Sequence, residues 1–162
     1  MSYYKNIIIV GTNNTSRSFM AEAVLQQLFR EKGMEEVEVI SRGLVVLFPE
    51  PVHPMAAKVV AEAGYVIRDF SASKLSGEEV EEADLLITIT PEEKERLLTE
   101  FADELGEEKK VVTLSELAGE KGGVPNPYGK EKEDYACCLV TIRRMLESSF
   151  ANICGKESGE NV

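Results

Sequence analysis

The first thirty residues consist of an apolar run, a polar loop and an amphipathic segment. Residues 6–10, NIIIV, have the pattern of a strand that is buried on both faces. From about Ser16 onward, apolar residues recur at helical spacing, at Met20, Ala21, Val24, Leu25 and Leu28. The pattern therefore predicts a strand, a polar loop and the N-terminus of a helix in direct succession.

The same alternation continues along the chain. It predicts further strands at about 37–41, 83–90 and 110–113, and helices at about 54–63, 91–105 and from 131 onward. The sharpest boundary is Thr90-Pro91-Glu92-Glu93, which combines an N-cap, a proline at the first helical position and a capping-box glutamate. The stretch 115–129 is expected to hold a short helical turn and then a loop rich in glycine and proline.

Strands that alternate with helices form a parallel sheet that is covered on both faces. The expected fold class is therefore α/β, with three layers around a doubly wound sheet. Ligands of such folds bind beyond the carboxyl ends of the strands, where the strand order reverses. The loop 11–18 directly follows the first strand, so it is the expected position of a site.

Length, charge and cysteine content narrow the class of protein. The chain of 162 residues is expected to form one domain over residues 1–152, with a polar tail at 153–162. A formal net charge of −11 argues against nucleic acid and anionic membranes as partners, and no apolar run approaches the roughly 20 residues of a membrane span. Three cysteines fit a reducing cytoplasm, and a single histidine gives no reason to expect a metal or another cofactor. The oligomeric state is not predicted.

The loop has the chemistry of an anion cradle. The first N–H groups of a helix have no partner within the helix, and the helix dipole adds partial positive charge at the same end. Arg17 can hold two phosphate oxygens with one guanidinium. A cation in the first helical turn opposes the dipole, which favours anion binding over a surface salt bridge as its reason. The expected anion-binding residues are Thr12, Asn13, Asn14, Thr15, Ser16, Arg17 and Ser18.

The segment from Gly11 to Ser18 closely resembles the phosphate-binding loop of low molecular weight protein tyrosine phosphatases. That loop reads Cys-x5-Arg-Ser and is commonly followed by Pro-Met-Ala-Glu; here Arg17-Ser18 and Met20-Ala21-Glu22 match. A second segment, from Val124 to Gly129, resembles the acid loop of that family. The resemblance covers nearly the whole chain and implies four parallel strands in the order 2-1-3-4, with the loop at the switch.

Both catalytic positions of that family are changed in this chain. The family uses a cysteine thiolate that attacks phosphorus and an aspartic acid that protonates the leaving group. Gly11 stands at the position of the cysteine, and Asn126 stands at the position of the acid. The resemblance therefore implies a catalytically degenerate member that binds a phosphate-like dianion, such as phosphotyrosine on a protein.

Three alternatives remain open. The protein could be an active phosphatase that uses another mechanism, although the loop hydroxyls have no activating base that the sequence shows, and Cys137 and Cys138 fall on the last helix, where one is expected in the core. It could be an arsenate reductase, which on this fold also needs the missing cysteine and a resolving pair. It could be a structural or regulatory partner with an empty cradle.

The resemblance also assigns roles around the loop. Phe48 and Tyr128 are expected to wall the mouth of the pocket, where either could stack on a phenyl ring or could simply pack. In the family the counterparts of Asn14 and Ser18 hydrogen-bond the thiolate and hold the loop, and the second role is expected to survive here. His53 is expected to be a structural residue, and Tyr135 is expected to pack in the core or against a helix.

Overall fold

The structure, a computed structural model, describes residues 4–67, 69–107, 109–121 and 123–154. Four strands form one parallel sheet: β1 (Asn6–Gly11), β2 (Glu38–Gly43), β3 (Leu85–Thr88) and β4 (Lys110–Thr113). Their order in the sheet is β2-β1-β3-β4. The predicted fold class and strand order are therefore confirmed.

Eight helices are described: α1 (Arg17–Glu31), α2 (Pro54–Glu62), α3 (Gly77–Glu82), α4 (Pro91–Glu100), α5 (Ala102–Leu105), α6 (Leu114–Ala118), α7 (Lys132–Ser148) and α8 (Phe150–Cys154). None of these described helices is long and apolar enough to cross a membrane. The single helix predicted over 91–105 is divided into α4 and α5 at Phe101. Helix α3 is not predicted by the sequence pattern, because Val80 is its one buried residue and gives no periodic signal.

Alternate side chains of β1 enter two separate cores. Ile7 and Ile9 pack with buried residues of α1, α2, α6, α7 and α8 on one face of the sheet. Ile8 and Val10 pack with residues of α3, α4 and α5 on the other face. Because both faces are buried, the strand reads as a continuous apolar run rather than as an alternating one.

The C-terminal boundary differs from the prediction. Helix α8 extends to Cys154, and Ile153 is fully buried in the larger core. The ring of Phe150 also contacts that of Phe29, with 5.0 Å between the centroids. The folded part therefore continues past residue 152, and the remainder of the predicted tail, residues 155–162, lies outside the described residues.

The end of β1 places the loop 11–18 at the switch in strand order. Gly11 pairs with Gly43 on β2, while Val10 also pairs with Thr88 on β3. A Cβ atom at Gly43 would lie 2.8 Å from the carbonyl oxygen of Thr12, so only glycine allows the loop to lie this close to β2.

Candidate functional site

The backbone of the loop turns its carbonyl groups outward and leaves its amides free. The carbonyl oxygens of Gly11, Thr12 and Thr15 accept hydrogen bonds of 2.8 to 3.0 Å from amides in the segment 44–53. In the described part of the chain, no group accepts a hydrogen bond from the backbone amides of residues 12–18. Such a set of unpartnered donors at a helix N-terminus is suited to an anion.

Arg17 lies in the first turn of α1 and lines the cleft beside the loop. One guanidinium nitrogen donates to the carbonyl oxygen of Val124, which precedes Asn126. No ion pair within the described ranges involves Arg17. The guanidinium therefore keeps an unpaired charge and further N–H groups.

Asn14 holds the loop in shape. Its φ angle of 62° lies in the left-handed region, which asparagine tolerates better than most residues. The side-chain amide donates to Ser18 Oγ at 2.9 Å and to Ser41 Oγ at 3.0 Å, and its oxygen accepts from the backbone amide of Ser73 at 3.0 Å. Every polar atom of this side chain is thus engaged in tying the loop to β2 and to the segment before α3.

The network continues from the loop into the core at Glu22. Ser41 donates to one carboxylate oxygen at 2.5 Å, and Gln26 donates to the other at 3.0 Å. Burial raises the pKa of Glu22 above its ordinary value, and the hydrogen bond from Ser41 and the charge of Arg42 oppose that rise. A titratable group is therefore connected to the loop through one serine.

Glu93 lines the cleft, whereas the sequence pattern predicts it only as the capping-box residue of α4. It is buried, and one carboxylate oxygen accepts from the amides of Ile89 and Thr90. Its other oxygen accepts a hydrogen bond of 2.8 Å from Thr12 Oγ1. The expectation that no loop hydroxyl has a base beside it is therefore wrong for Thr12. The available signal was the position of Glu93, just beyond the carboxyl end of β3 and next to that of β1.

The loop that carries Asn126 closes another side of the cleft. Asn126 Oδ1 accepts a hydrogen bond of 3.1 Å from the amide of Tyr128, and both residues line the cleft. Tyr128 is 71% exposed, and its ring lies in a T-shaped contact with that of His53, with 5.8 Å between the centroids. An amide at position 126 can donate a hydrogen bond but cannot deliver an acid proton.

Behind Tyr128, the ring of His53 packs against that of Tyr135. His53 caps α2 through Nδ1, which accepts from the amide of Met55 at 3.2 Å, and its ring stacks on that of Tyr135 at 4.9 Å. Tyr135 is fully buried, as expected, and burial raises the pKa of its phenol. The packing predicted for Tyr135 is confirmed; His53 caps α2 and also lines the cleft, so its role as a purely structural residue stays a prediction.

None of the three cysteines, all of which lie in the described ranges, lines the cleft. Cys138 is the predicted core cysteine; its Sγ lies 3.9 Å from the carbonyl oxygen of Pro125. Burial raises the pKa of Cys138 to about 11, so the thiol stays protonated near neutral pH. Cys137 is exposed on the other side of α7. Within the described ranges, no three His, Cys, Asp or Glu side chains are arranged to hold a metal ion.

The groups described above open onto one cleft of about 740 Å³. All of the predicted anion-binding residues line it, together with Gly11, Asn126 and Tyr128; the other lining residues are Glu50, Pro51, Val52, His53, Pro54, Ile89 and Glu93.

Phe48 is not part of the cleft, contrary to expectation. The segment 44–53 is attached to the loop at Val45 and again at His53, through bonds to Thr12 and Thr15. Between these attachments Leu47 is 89% exposed and Phe48 is 61% exposed, and neither lines the cleft. The wall on this side is formed instead by residues 50–54.

Comparison with known proteins agrees with this geometry. Residues 6–158 match the low molecular weight phosphotyrosine protein phosphatase family. A probable low molecular weight protein-tyrosine-phosphatase, EpsP of Ralstonia solanacearum, is 30% identical over 144 residues, which cover 89% of this chain and 92% of that protein. A protein-arginine-phosphatase of Bacillus subtilis is 32% identical over 142 residues, which cover 87% and 91%.

Solved structures show the same likeness. The crystal structure of a YwlE mutant from Bacillus subtilis superposes with a TM-score of 0.82 at 30% identity and covers 93% of this chain and 97% of that one. A low molecular weight protein tyrosine phosphatase from T. tengcongensis gives 0.83 at 26% identity, with 93% and 99% covered. This chain therefore belongs to the low molecular weight phosphotyrosine protein phosphatase family.

Proposed function

We propose that this protein binds a phosphate-like dianion, the phosphotyrosine of a partner protein, and does not hydrolyse it by a covalent cysteine mechanism. The proposal is carried by one observation, that the unpartnered amides of residues 12–18 and the unpaired charge of Arg17 converge on a cleft whose first loop residue is Gly11. The donors for a dianion are present, and the nucleophile and the acid are absent.

The missing thiolate favours binding. A thiolate beneath the anion would repel it, since two like charges about 4 Å apart cost about 4 kcal/mol at an effective dielectric near 20. Gly11 carries no charge, while Arg17 and the amides remain. The hydrogen bonds of Asn14 keep the loop preorganised although residue 11 is glycine.

The residues that line the cleft also indicate which phosphorylated side chain it would bind. Tyr128 offers an aromatic face that would stack on the phenyl ring of phosphotyrosine. Glu50 also lines the cleft, and its carboxylate would complement the guanidinium of phosphoarginine. Phosphoarginine is therefore the second ligand to compare with phosphotyrosine.

A second candidate function, hydrolysis by another mechanism, is favoured by the contact between Thr12 and Glu93. A hydroxyl 2.8 Å from a carboxylate is the arrangement of a nucleophile with a base. In such a step Thr12 Oγ1 would bond to phosphorus, its proton would pass to Glu93, and the bond to the leaving group would break. Thr12→Ala and Glu93→Gln test it, because either change should then abolish turnover.

Calorimetry tests the binding function directly. Inorganic phosphate, sulfate, a phosphotyrosine peptide and a phosphoarginine peptide are titrated into the protein, with Arg17→Ala as the control. Binding is expected for phosphate and for one of the peptides, and it should be lost in the Arg17→Ala protein. No heat at millimolar ligand, or equal binding by both proteins, would leave only the structural or regulatory role with an empty cradle.

A further inference from the structure

The hydroxyl of Ser18 can donate a hydrogen bond that no group in the described part of the chain accepts. The residue is 2% exposed, and its Oγ accepts from the side-chain amide of Asn14 at 2.9 Å. Over residues 4–67, 69–107, 109–121 and 123–154, no group accepts a hydrogen bond from the Ser18 hydroxyl. A buried donor without an acceptor is costly, and in native proteins such a donor usually meets a ligand or a water molecule.

Ser41 belongs to the same hydrogen-bond network, and its hydroxyl both accepts and donates a hydrogen bond. Its Oγ accepts from the same side-chain amide of Asn14, at 3.0 Å. It then donates its own proton to the carboxylate of Glu22 at 2.5 Å. The two serines have the same role as acceptors and differ in that only Ser41 has a partner for its proton.

The free hydroxyl of Ser18 lies at the floor of the anion cradle. A Cβ atom built on Gly11 would lie 3.0 Å from Ser18 Oγ, and both residues line the cleft. A side chain at position 11 would therefore stand over the hydroxyl. Because residue 11 is glycine, no side chain of that residue lies beside the hydroxyl, and Ser18 lines the same cleft as Arg17 and the loop residues with free amides.

We propose that the Ser18 hydroxyl donates a hydrogen bond to an oxygen of the bound anion. This inference rests on the proposed binding function and adds the side-chain hydroxyl of Ser18 to the backbone amides and Arg17 as a donor to the anion. The acceptor is a phosphate oxygen, because the amides and Arg17 select an oxyanion at this point. In the family a charged cysteine thiolate stands at the floor of the cradle. Here position 11 has no side chain, and the donor at the floor is the neutral hydroxyl of Ser18.

The matched pair of serines provides the test. Inorganic phosphate is titrated into the full-length wild type, Ser18→Ala and Ser41→Ala, with calorimetry for affinity and the phosphorus-31 chemical shift of the bound phosphate as a second readout. Each variant removes one acceptor of Asn14, but only Ser18→Ala removes the donor at the floor. We expect Ser18→Ala to bind about tenfold more weakly than Ser41→Ala, with a changed phosphorus-31 shift, since a hydrogen bond to a charged group typically contributes that much or more.

A third variant, Gly11→Ala, tests the inference even if Ser18→Ala fails to fold. Gly11→Ala keeps Ser18 and its bond from Asn14, but the added methyl group lies 3.0 Å from the hydroxyl oxygen and crowds it. It is expected to weaken phosphate binding to a similar extent. Equal affinities for Ser18→Ala and Ser41→Ala, or a Gly11→Ala protein that binds like the wild type, would overturn this inference alone. A wild-type protein that does not bind phosphate would overturn the proposed function as well.

Discussion

The guanidinium of Arg17 donates a hydrogen bond to the backbone carbonyl of Val124, a residue 107 positions later in the chain. The contact joins the first turn of α1 to the loop that carries Asn126. It orients Arg17 without neutralising its charge, because a carbonyl group is not an anion. The side chain that would hold the dianion is therefore preorganised before a ligand arrives.

Replacing Arg17 with alanine is expected to abolish anion binding and to lower the free energy of unfolding by about 1–2 kcal/mol. The hydrogen bond to Val124 has a charged donor and contributes about 1.5–3 kcal/mol. Removing a cation from a helix N-terminus restores about 0.3–1 kcal/mol, which offsets part of that loss. Urea unfolding of both proteins measures the difference. A loss of several kcal/mol would identify Arg17 as a structural residue instead.

Hydrolysis of aryl phosphates is expected to proceed no faster with the protein than in buffer. General acid catalysis alone contributes about 10²- to 10⁴-fold, and Asn126 cannot supply it. A sensitive assay with p-nitrophenyl phosphate and a phosphotyrosine peptide measures the rate. Turnover that survives substitution of every cysteine but disappears in Thr12→Ala would contradict this prediction and would establish the second candidate function.

The double variant Gly11→Cys with Asn126→Asp is expected to recover slow phosphatase activity. Ser18 must first give way by a few tenths of an ångström, because the new Cβ would lie 3.0 Å from its Oγ and 3.1 Å from its Cβ. Gly11→Cys alone should therefore be weakly active, and Asn126→Asp should add most for poor leaving groups such as the phenolate of tyrosine. If the double variant folds and binds phosphate but remains inert, the match of these two positions to the catalytic residues of the family is incorrect.

The stability of the protein should depend on pH through Glu22. Burial raises its pKa in the folded state above the ordinary value of 4.5, so the folded state binds the proton more tightly than the unfolded state. The contribution of this group is fully present below about 4.5 and is lost as the pH rises through the folded-state pKa. Chemical unfolding at a series of pH values compares the wild type with Glu22→Gln, and the stability of the wild type relative to the variant should fall across that window. A difference that stays constant or rises with pH would show that the hydrogen bonds to the carboxylate outweigh its burial.

The two adjacent cysteines should differ in reactivity. Burial raises the pKa of Cys138 to about 11, so at pH 8 roughly one molecule in a thousand carries the thiolate. Cys137 is exposed, so iodoacetamide should label it much faster, as followed by mass spectrometry of the native protein. Fast labelling of Cys138 in the folded protein would reopen the possibility of a relocated nucleophile.

Local sequence was enough to locate the elements that build the cradle. The apolar run of β1, the start of α1 at Arg17 and the capped start of α4 all lie where the patterns predict them. Their signals come from neighbouring residues, because burial on both faces of a strand and capping of a helix involve positions a few residues apart. Family resemblance then supplied the strand order, which the sheet confirms.

The tertiary structure alone decided which side chains meet at the cradle. Thr12 and Glu93 are 81 positions apart and share a hydrogen bond, and Phe48, which the resemblance placed at the mouth, does not line the cleft. Asn14 hydrogen-bonds both Ser18 in its own loop and Ser41 on β2, 27 positions later in the chain. Periodicity reports the burial of one element at a time, whereas these relationships depend on how strands and loops distant along the chain are brought to the same edge of the sheet.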